Sequence, residues 1–260
     1  SIRSDLNPHP AGQMTLNTPE GEDHLNGVQH KYPETVLLFP SAGQTCHAYC
    51  TYCFRWAQFI GDSDLRFAQK EAEYFFSYLQ KHEEITDVLV TGGDPMVMRT
   101  KMLQKYLEPF CDSEFLPHIN TIRFGSRALT FWPKRFTEDE DSNQLLAMFR
   151  RLISAGRHVA FMAHIGHPRE LESSTFKKAV KRIQRTGAVI RSQAPLIAGF
   201  NDSADLWVQK WRQEVNLGIV PYYMFIARDT GAQHYFKVPL SDAFEIYQEA
   251  VSNVTGLART

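Results

Sequence analysis

Short apolar runs alternate with longer amphipathic stretches along most of this chain. The runs are TVLLF (35–39), DVLVTG (87–92), TIRFG (121–125), HVAFMAH (158–164), AVIRSQ (188–193) and VPYYMFI (220–226), and each reads as a strand. The stretches between them carry a helical repeat. In RFAQKEAEYFFSYLQKH the residues Ala68, Ala72, Phe75, Phe76 and Leu79 share one face, a period near 3.6. SNQLLAMFRRLISAG opens with Ser142 as an N-cap candidate and ends at Gly156 as a C-cap candidate. STFKKAVKRIQRTG ends likewise at Gly187 and SADLWVQKWRQEVNLG at Gly218, and SDAFEIYQEAVSNV closes the chain.

Strand followed by helix, repeated, predicts an α/β fold of parallel strands joined by helical crossovers. The strands are mostly apolar, as expected when both faces are covered. An open doubly wound sheet and a barrel both fit this period. The units are too few for a full eight-fold barrel, so the expectation is a partial (β/α)6 barrel of parallel strands with outer helices. Residues 1–34, rich in Pro, Gly, Asn and His, read as an irregular N-terminal segment, and 35–260 as the barrel domain. In either architecture chemistry collects at the C-terminal ends of the strands. The unusual residues lie there: three cysteines after the first strand, GGDP after the second, GSR after the third, HIGHP after the fourth, Gln193 in the fifth and ARD after the sixth.

Composition narrows the class. With 260 residues, 43% of them hydrophobic, the chain can bury one large core or two modest ones. A net charge of -1 implies no global attraction to nucleic acid or an anionic membrane. No apolar run approaches the roughly 18–20 residues of a membrane span, and SIRSDLNPHPAGQ lacks the apolar core of a signal peptide. The expectation is a soluble, cytoplasmic protein with a small-molecule substrate.

The sharpest signal is TCHAYCTYCFRW (45–56), with Cys46, Cys50 and Cys53 in a C-x3-C-x2-C pattern. Three thiols in one short loop make a poor disulfide staple, so a reducing compartment and a metal are the better reading. Thiolates are the usual ligands of iron–sulfur clusters, whereas a structural zinc is closed by four protein ligands. The pattern suits a [4Fe-4S] cluster with one iron left open. The alternatives are a zinc site completed by His47 or Cys111, or three ordinary thiols. Cys111, in PFCDSEF, reads as an ordinary half-buried cysteine.

This loop, on the first strand-to-helix connection of an α/β chain, resembles the radical S-adenosylmethionine (SAM) superfamily. That resemblance implies that the open iron chelates SAM and that one electron releases a 5′-deoxyadenosyl radical. It also implies a one-electron donor such as flavodoxin or ferredoxin. Tyr52 matches the family's aromatic before the last cysteine, and TGGDP, with Gly92, Gly93 and Asp94, resembles the Gly-Gly-Glu element that approaches the SAM ammonium, with Asp94 where Glu is commoner. The likeness extends to lysine 2,3-aminomutase and its relatives through HKYPETVLLFPSAGQTCHAYCTYCFR, DVLVTGGDP, TIRFGSR, AHIGHPRE, SQAPLIAGFND and VPYYMFIARDTGAQHYFKVP. By that resemblance Arg55 matches the arginine that pairs with the substrate carboxylate. Arg127 matches an arginine near the cofactors, and His164 and Gln193 fall where the family lines its SAM pocket. Asn201 and Asp202 read as turn and cap residues.

Two departures change what the resemblance implies. The family holds pyridoxal phosphate (PLP) on a lysine in a glycine-rich segment near its C-terminus, whereas this chain stops at VTGLART without such a motif, and Lys237 is no obvious replacement. PLP use is left open, as is a homo-oligomer. Second, lysine-specific members place an aspartate after the sixth strand to hold the substrate ammonium. Here Arg228 takes that position, with Asp229 next to it. An arginine there favours an anionic or neutral substrate. The expected reaction is hydrogen abstraction from an amino acid, with amino migration if PLP is bound. The alternatives are a PLP-independent epimerisation or ring formation, and a non-catalytic iron–sulfur or zinc module.

Overall fold

Seven strands form one sheet whose spatial order is its chain order. The computed structural model describes residues 17–21, 25–59, 66–227 and 233–259. The strands are β1 (Val28–Tyr32), β2 (Thr35–Leu38), β3 (Asp87–Val90), β4 (Thr121–Ser126), β5 (His158–His164), β6 (Val189–Pro195) and β7 (Val220–Phe225). From β2 to β7 all pairings are parallel, while β1 runs antiparallel to β2. This order decides between the two architectures that the alternation leaves open. A doubly wound sheet reverses its strand order at a switch point. No reversal occurs here, so right-handed crossovers carry their helices to one face. The edges β1 and β7 do not pair with each other, so the barrel is partial, as expected.

The helices are α1 (Ala72–Lys81), α2 (Thr100–Leu107), α3 (Ala128–Phe131), α4 (Ser142–Ser154), α5 (Ser174–Gln184), α6 (Ala204–Asn216), α7 (Gln233–Phe236) and α8 (Leu240–Ser252). Register aligns their apolar partners. Val36, Val88, Ile122 and Val159 lie side by side across the sheet, as do Leu38, Val90, Phe124, Phe161 and Ile190, and all are buried. Phe75, Leu79, Leu103, Leu107, Leu145, Phe149, Phe176 and Ile183 pack with them in one core. Each such side chain contributes about 1.5–3 kcal/mol. The opposite parity forms the concave face; there Leu37, Leu89, Arg123, Arg191 and Gln193 are half-buried, while Ala160 and Met162 of the central β5 are buried. The expectation of strands covered on both faces holds for β5, while β2, β3, β4 and β6 are fully covered on the helix side only. A second apolar cluster joins Trp207, Val208 and Trp211 of α6 to Ala243 and Ala250 of α8.

Two local expectations are corrected. Strand β1 lies inside the segment read as irregular. Its centre is Gln29-His30-Lys31 and its two-residue turn is Pro33-Glu34, which is not one of the glycine-containing pairs that announce a hairpin. It forms because Val28 inserts fully into the core. Ser142 is the first residue of α4, and the cap position belongs to Asp141. That carboxylate is diverted. It accepts from the Thr100 backbone N–H (2.6 Å) at the start of α2 and pairs with the buried Arg135. Among the described residues no helix is long and apolar enough to cross a membrane.

Candidate active site

After β2 the chain makes a single 3-10 turn (Ser41–Gly43) and enters the loop that carries the three cysteines. The GGDP turn after β3 is packed directly against that loop. A Cβ on Gly93 would lie 2.3 Å from the Thr45 carbonyl oxygen and 2.5 Å from its nitrogen. Gly92, at φ +143°, faces the side chain of Gln44, a backbone conformation open to glycine alone at little cost. The Asp94 N–H donates to the Gly43 carbonyl (3.1 Å). The close approach that the glycines permit is thus, in this structure, to the cysteine loop itself. Gly93→Ala is expected to destabilise the fold by about 3 kcal/mol, because rigid backbone rather than a mobile side chain must give way. Urea unfolding checks the stability, and iron retention after reconstitution checks whether the loop is displaced.

Asp94 is buried and its carboxylate is fully engaged. Oδ1 accepts from the Met96 N–H (2.9 Å) and the Ser126 hydroxyl (2.7 Å), and Oδ2 from the N–H groups of Arg127 (2.8 Å) and Ala128 (3.0 Å). Burial pushes its pKa up, against these hydrogen bonds. The side chain therefore binds the ends of β3 and β4 together and sets the backbone of Arg127.

Arg127 is where the rim residues meet. Nη1 donates to the Cys50 thiol (2.8 Å), the Tyr52 hydroxyl (2.5 Å) and Nε2 of His164 (3.2 Å), and Nη2 donates to Glu170 (2.9 Å). Its guanidinium also lies 4.0 Å from the centre of the Phe131 ring, a cation–π distance. Nε is buried and makes no hydrogen bond among the described residues. Burial, then the Arg127 cation, hold His164 well below the ordinary histidine range, so its imidazole is neutral and accepts at Nε2. The Tyr52 ring is flanked by His164, Phe200 and Phe236, each about 6 Å away between centres. Burial pushes the Tyr52 hydroxyl up, so it stays protonated.

The three thiols suit the metal chemistry that their spacing implies. All are half-buried and free. Burial pushes each of them up, Cys53 to about 11, and Cys46 is raised further by Asp94 and by the other two thiols. Such groups release their protons only to a cation. Of the two residues considered as zinc-completing ligands, Cys111 is packed away from the loop. His47 is exposed and set edge-on against Trp132 at 3.8 Å. Cys111 packs near Leu107 and Met148 in the core between α2 and α4.

The remaining expected residues fall as follows. Arg55 lies beside Cys53, with its guanidinium 4.0 Å from the centre of the Phe39 ring and Nε donating to Gln58 (2.9 Å). Gln193 stands next to His164 in the β5–β6 register on the concave face. Asn201 is buried and structural: Nδ2 donates to Gly166 and Pro195 carbonyls (3.0 Å each) and Oδ1 accepts from Ile197 (2.7 Å). Asp202 accepts from Gly199 (2.8 Å) and closes the turn. Lys237 is exposed. Arg228 and Asp229 lie outside the described residues. Sequence reasoning passed over Glu170, which anchors Arg127, and Phe200, which flanks Tyr52. The HIGHPRE run held the only signal for Glu170, an acid on a turn at a strand end.

No family model matches the chain. Among curated proteins, one of Aquifex aeolicus with the provisional name L-lysine 2,3-aminomutase is 32% identical over 95% of this chain and 63% of its own length. The L-lysine 2,3-aminomutase of Fusobacterium nucleatum is 28% identical over 92% of this chain and 53% of its own length. The glutamate 2,3-aminomutase of Clostridioides difficile is 25% identical over 92% and 54%. The chain therefore spans little more than half to under two thirds of the length of these relatives. Among solved structures, a radical SAM methyltransferase from Sphaerobacter thermophilus superposes with a TM-score of 0.54 at 13% identity, over 87% of this chain and 66% of that one. SuiB of Streptococcus suis bound to S-adenosylmethionine gives 0.52 at 14% identity, over 82% and 47%. At such identities the structures speak for the fold alone. A partial barrel that carries the aminomutase motifs in order is thus similar, along nearly its whole length, to proteins named L-lysine 2,3-aminomutase.

Proposed function

We propose that the protein is an aminomutase-like radical SAM enzyme that abstracts hydrogen from an amino acid or a related small molecule. One observation supports this above the others. Arg127 touches the cysteine loop at Cys50, the aromatic at Tyr52, the neutral His164 and the carboxylate of Glu170 at once. A module that only held metal would need the cysteines but not this rim of charged and aromatic groups.

In this reading Cys46, Cys50 and Cys53 hold a [4Fe-4S] cluster that, when bound and reduced, supplies one-electron cleavage of SAM. Arg127 offers positive charge beside the Cys50 sulfur, and Asp94 holds that arginine in place. His164, neutral and fixed at the end of β5, and Gln193 beside it present polar groups on the concave side for the cofactor. Tyr52, with Phe200 and Phe236, walls the site against water. Arg55 pairs with a substrate carboxylate once it leaves Gln58. An electron donor such as flavodoxin or ferredoxin supplies the electron, and a reducing cytoplasm suits the free thiols. Amino migration requires PLP, whose lysine is not among these 260 residues. Full-chain absorbance with and without added PLP separates migration from PLP-independent chemistry, and SAM binding separates both from a non-catalytic module.

Substrate charge is the finer point. The relatives include one named for lysine and one named for glutamate. Arg228 stands where lysine-specific members carry aspartate, and this supports an anionic or neutral substrate. A like charge at about 4 Å costs on the order of 4 kcal/mol at an effective dielectric near 20. Deuterium transfer into 5′-deoxyadenosine is expected to be faster from glutamate or a neutral amino acid than from lysine, and Arg228→Asp to reverse that order. If the natural protein prefers lysine and the substitution weakens that preference, Asp229 reads the side chain instead.

A further inference from the structure

We propose that His30, His82 and Glu84 form a divalent-cation site of the zinc class, at the end of the barrel opposite the cysteine loop. His30 lies in the middle of β1, three residues before the turn at Pro33-Glu34. His82 caps the C-terminus of α1, and Glu84 follows in the connection to β3. All three therefore sit near the N-terminal ends of the parallel strands, while the cysteines follow a C-terminal end. Nothing in the radical chemistry uses them, and the inference does not depend on the proposed function.

The geometry is that of a ligand set. One nitrogen from each imidazole and one carboxylate oxygen lie within 4.8 Å of one another, and among the described residues no other group of three His, Cys, Asp or Glu does so. Nδ1 of His82 is 2.7 Å from Oε1 of Glu84, so the two share one proton that a cation can replace. Nε2 of His30 lies 3.1 Å from the Pro33 carbonyl and Nδ1 lies 2.8 Å from the Tyr78 hydroxyl. A carbonyl can only accept, so Nε2 carries the hydrogen and the Nδ1 lone pair accepts from the Tyr78 hydroxyl, which a cation at Nδ1 would displace. The Nε2 bond is the orienting bond that metal-bound histidines commonly make. The Tyr78 ring packs on His82 at 4.2 Å between centres, and the two imidazoles meet edge to face at 5.6 Å, which fixes both rings.

The surroundings admit a cation. The side chains of His82 and Glu84 are 34% and 50% exposed, which leaves an entry path and room for water as a fourth ligand. The carbonyl end of α1 favours positive charge. Lys81 and Lys31 are the neighbouring cations in sequence, and the Lys31 ammonium is turned over the Tyr32 ring. Two imidazoles and a carboxylate with an open position select a borderline divalent ion, zinc before magnesium or calcium. Bound there, it would clip the β1 hairpin to α1 and to the connection that leads into β3, and so stabilise the fold by mass action.

The test uses the iron–sulfur-reconstituted protein, so that the thiols are occupied, and zinc chloride as the probe. Equilibrium dialysis should show one zinc retained per chain beyond the iron. Zinc-edge X-ray absorption should show only nitrogen and oxygen neighbours at about 2.0–2.1 Å, with imidazole scattering. His82→Ala and the milder Glu84→Gln should each weaken binding at least tenfold, on the order of the loss from disturbing a metal's supporting residues. Both should abolish the rise in melting temperature that zinc gives the natural protein, and leave SAM cleavage unchanged. Circular dichroism of the exposed Glu84→Gln variant guards against a folding artefact. No retained zinc, a sulfur shell near 2.3 Å, or binding that survives both substitutions overturns the proposal.

Discussion

Cys50→Ala is expected to take the protein from about four irons per chain to almost none after anaerobic reconstitution, and to abolish SAM cleavage. The loop offers only three thiols, and a cluster held by three has none to spare. Cys50 is also the thiol that meets Arg127. Removing it breaks the contact that ties the loop to the end of β4 as well as the metal ligation. Cys111→Ala is the matched control. Its sulfur lies 3.7 Å from that of Met148 and takes no part in the loop, so iron content and cleavage should stay at the natural level. Iron analysis and electron paramagnetic resonance read the result. Stoichiometric zinc without a cluster signal in the natural protein, or loss of the cluster in the Cys111 variant, would falsify the assignment.

Arg127→Met should cost both stability and chemistry, and the two losses can be separated. The Arg127–Glu170 pair is only 12% and 16% exposed. Removing one partner of such a pair leaves an uncompensated charge and costs about 3 kcal/mol. Glu170→Gln alone should cost less, because the Gly166 N–H still has an oxygen to bond to. Combined, Arg127→Met with Glu170→Gln should recover part of the stability, since no buried charge is left alone. Cleavage of SAM should not recover. The positive charge at Cys50 and the donor to Tyr52 and His164 are missing in both the single and the double variant, and we expect a loss of about a hundredfold or more. Chemical denaturation of the four proteins gives the coupling, and anaerobic product analysis gives the rate. If the double variant regains activity together with stability, Arg127 is a structural residue only.

What could be read from the chain, and what could not, follows from where the information sits. The six parallel strands are legible because each carries a run such as DVLV or HVAFMAH whose apolar residues have to be buried. Strand β1 is not, because its centre is Gln29-His30-Lys31 and one valine does most of the anchoring. The choice of barrel over doubly wound sheet depends on strand order, which no local period encodes. The rim residues Tyr52, Arg127, His164 and Gln193 were legible only through motif resemblance, and the structure brings Tyr52 and His164 onto the Arg127 guanidinium and sets Gln193 beside His164. The structural part of Asp94 was not legible, because its four hydrogen bonds come from backbone and hydroxyl groups whose convergence exists only after folding. Glu170 escaped notice for the same reason. A charged residue on a turn reads as solvated until an arginine from another strand is set against it.

The in-order sheet also bears on how the molecule is assembled. Each strand after the first is laid against the one made just before it, and none has to be inserted between two that are already paired. A chain emerging from the ribosome can therefore extend the sheet at a single advancing border, with modest loop-closure entropy at every step. Until the next strand arrives, that border presents open backbone groups, and nascent chains in this condition are prone to mispairing. The last strand, β7, still carries such a border on the side away from β6, with Tyr223 and Phe225 half exposed beside it. Among the described strands, the one with this open border is made after the six others, which are by then able to pair.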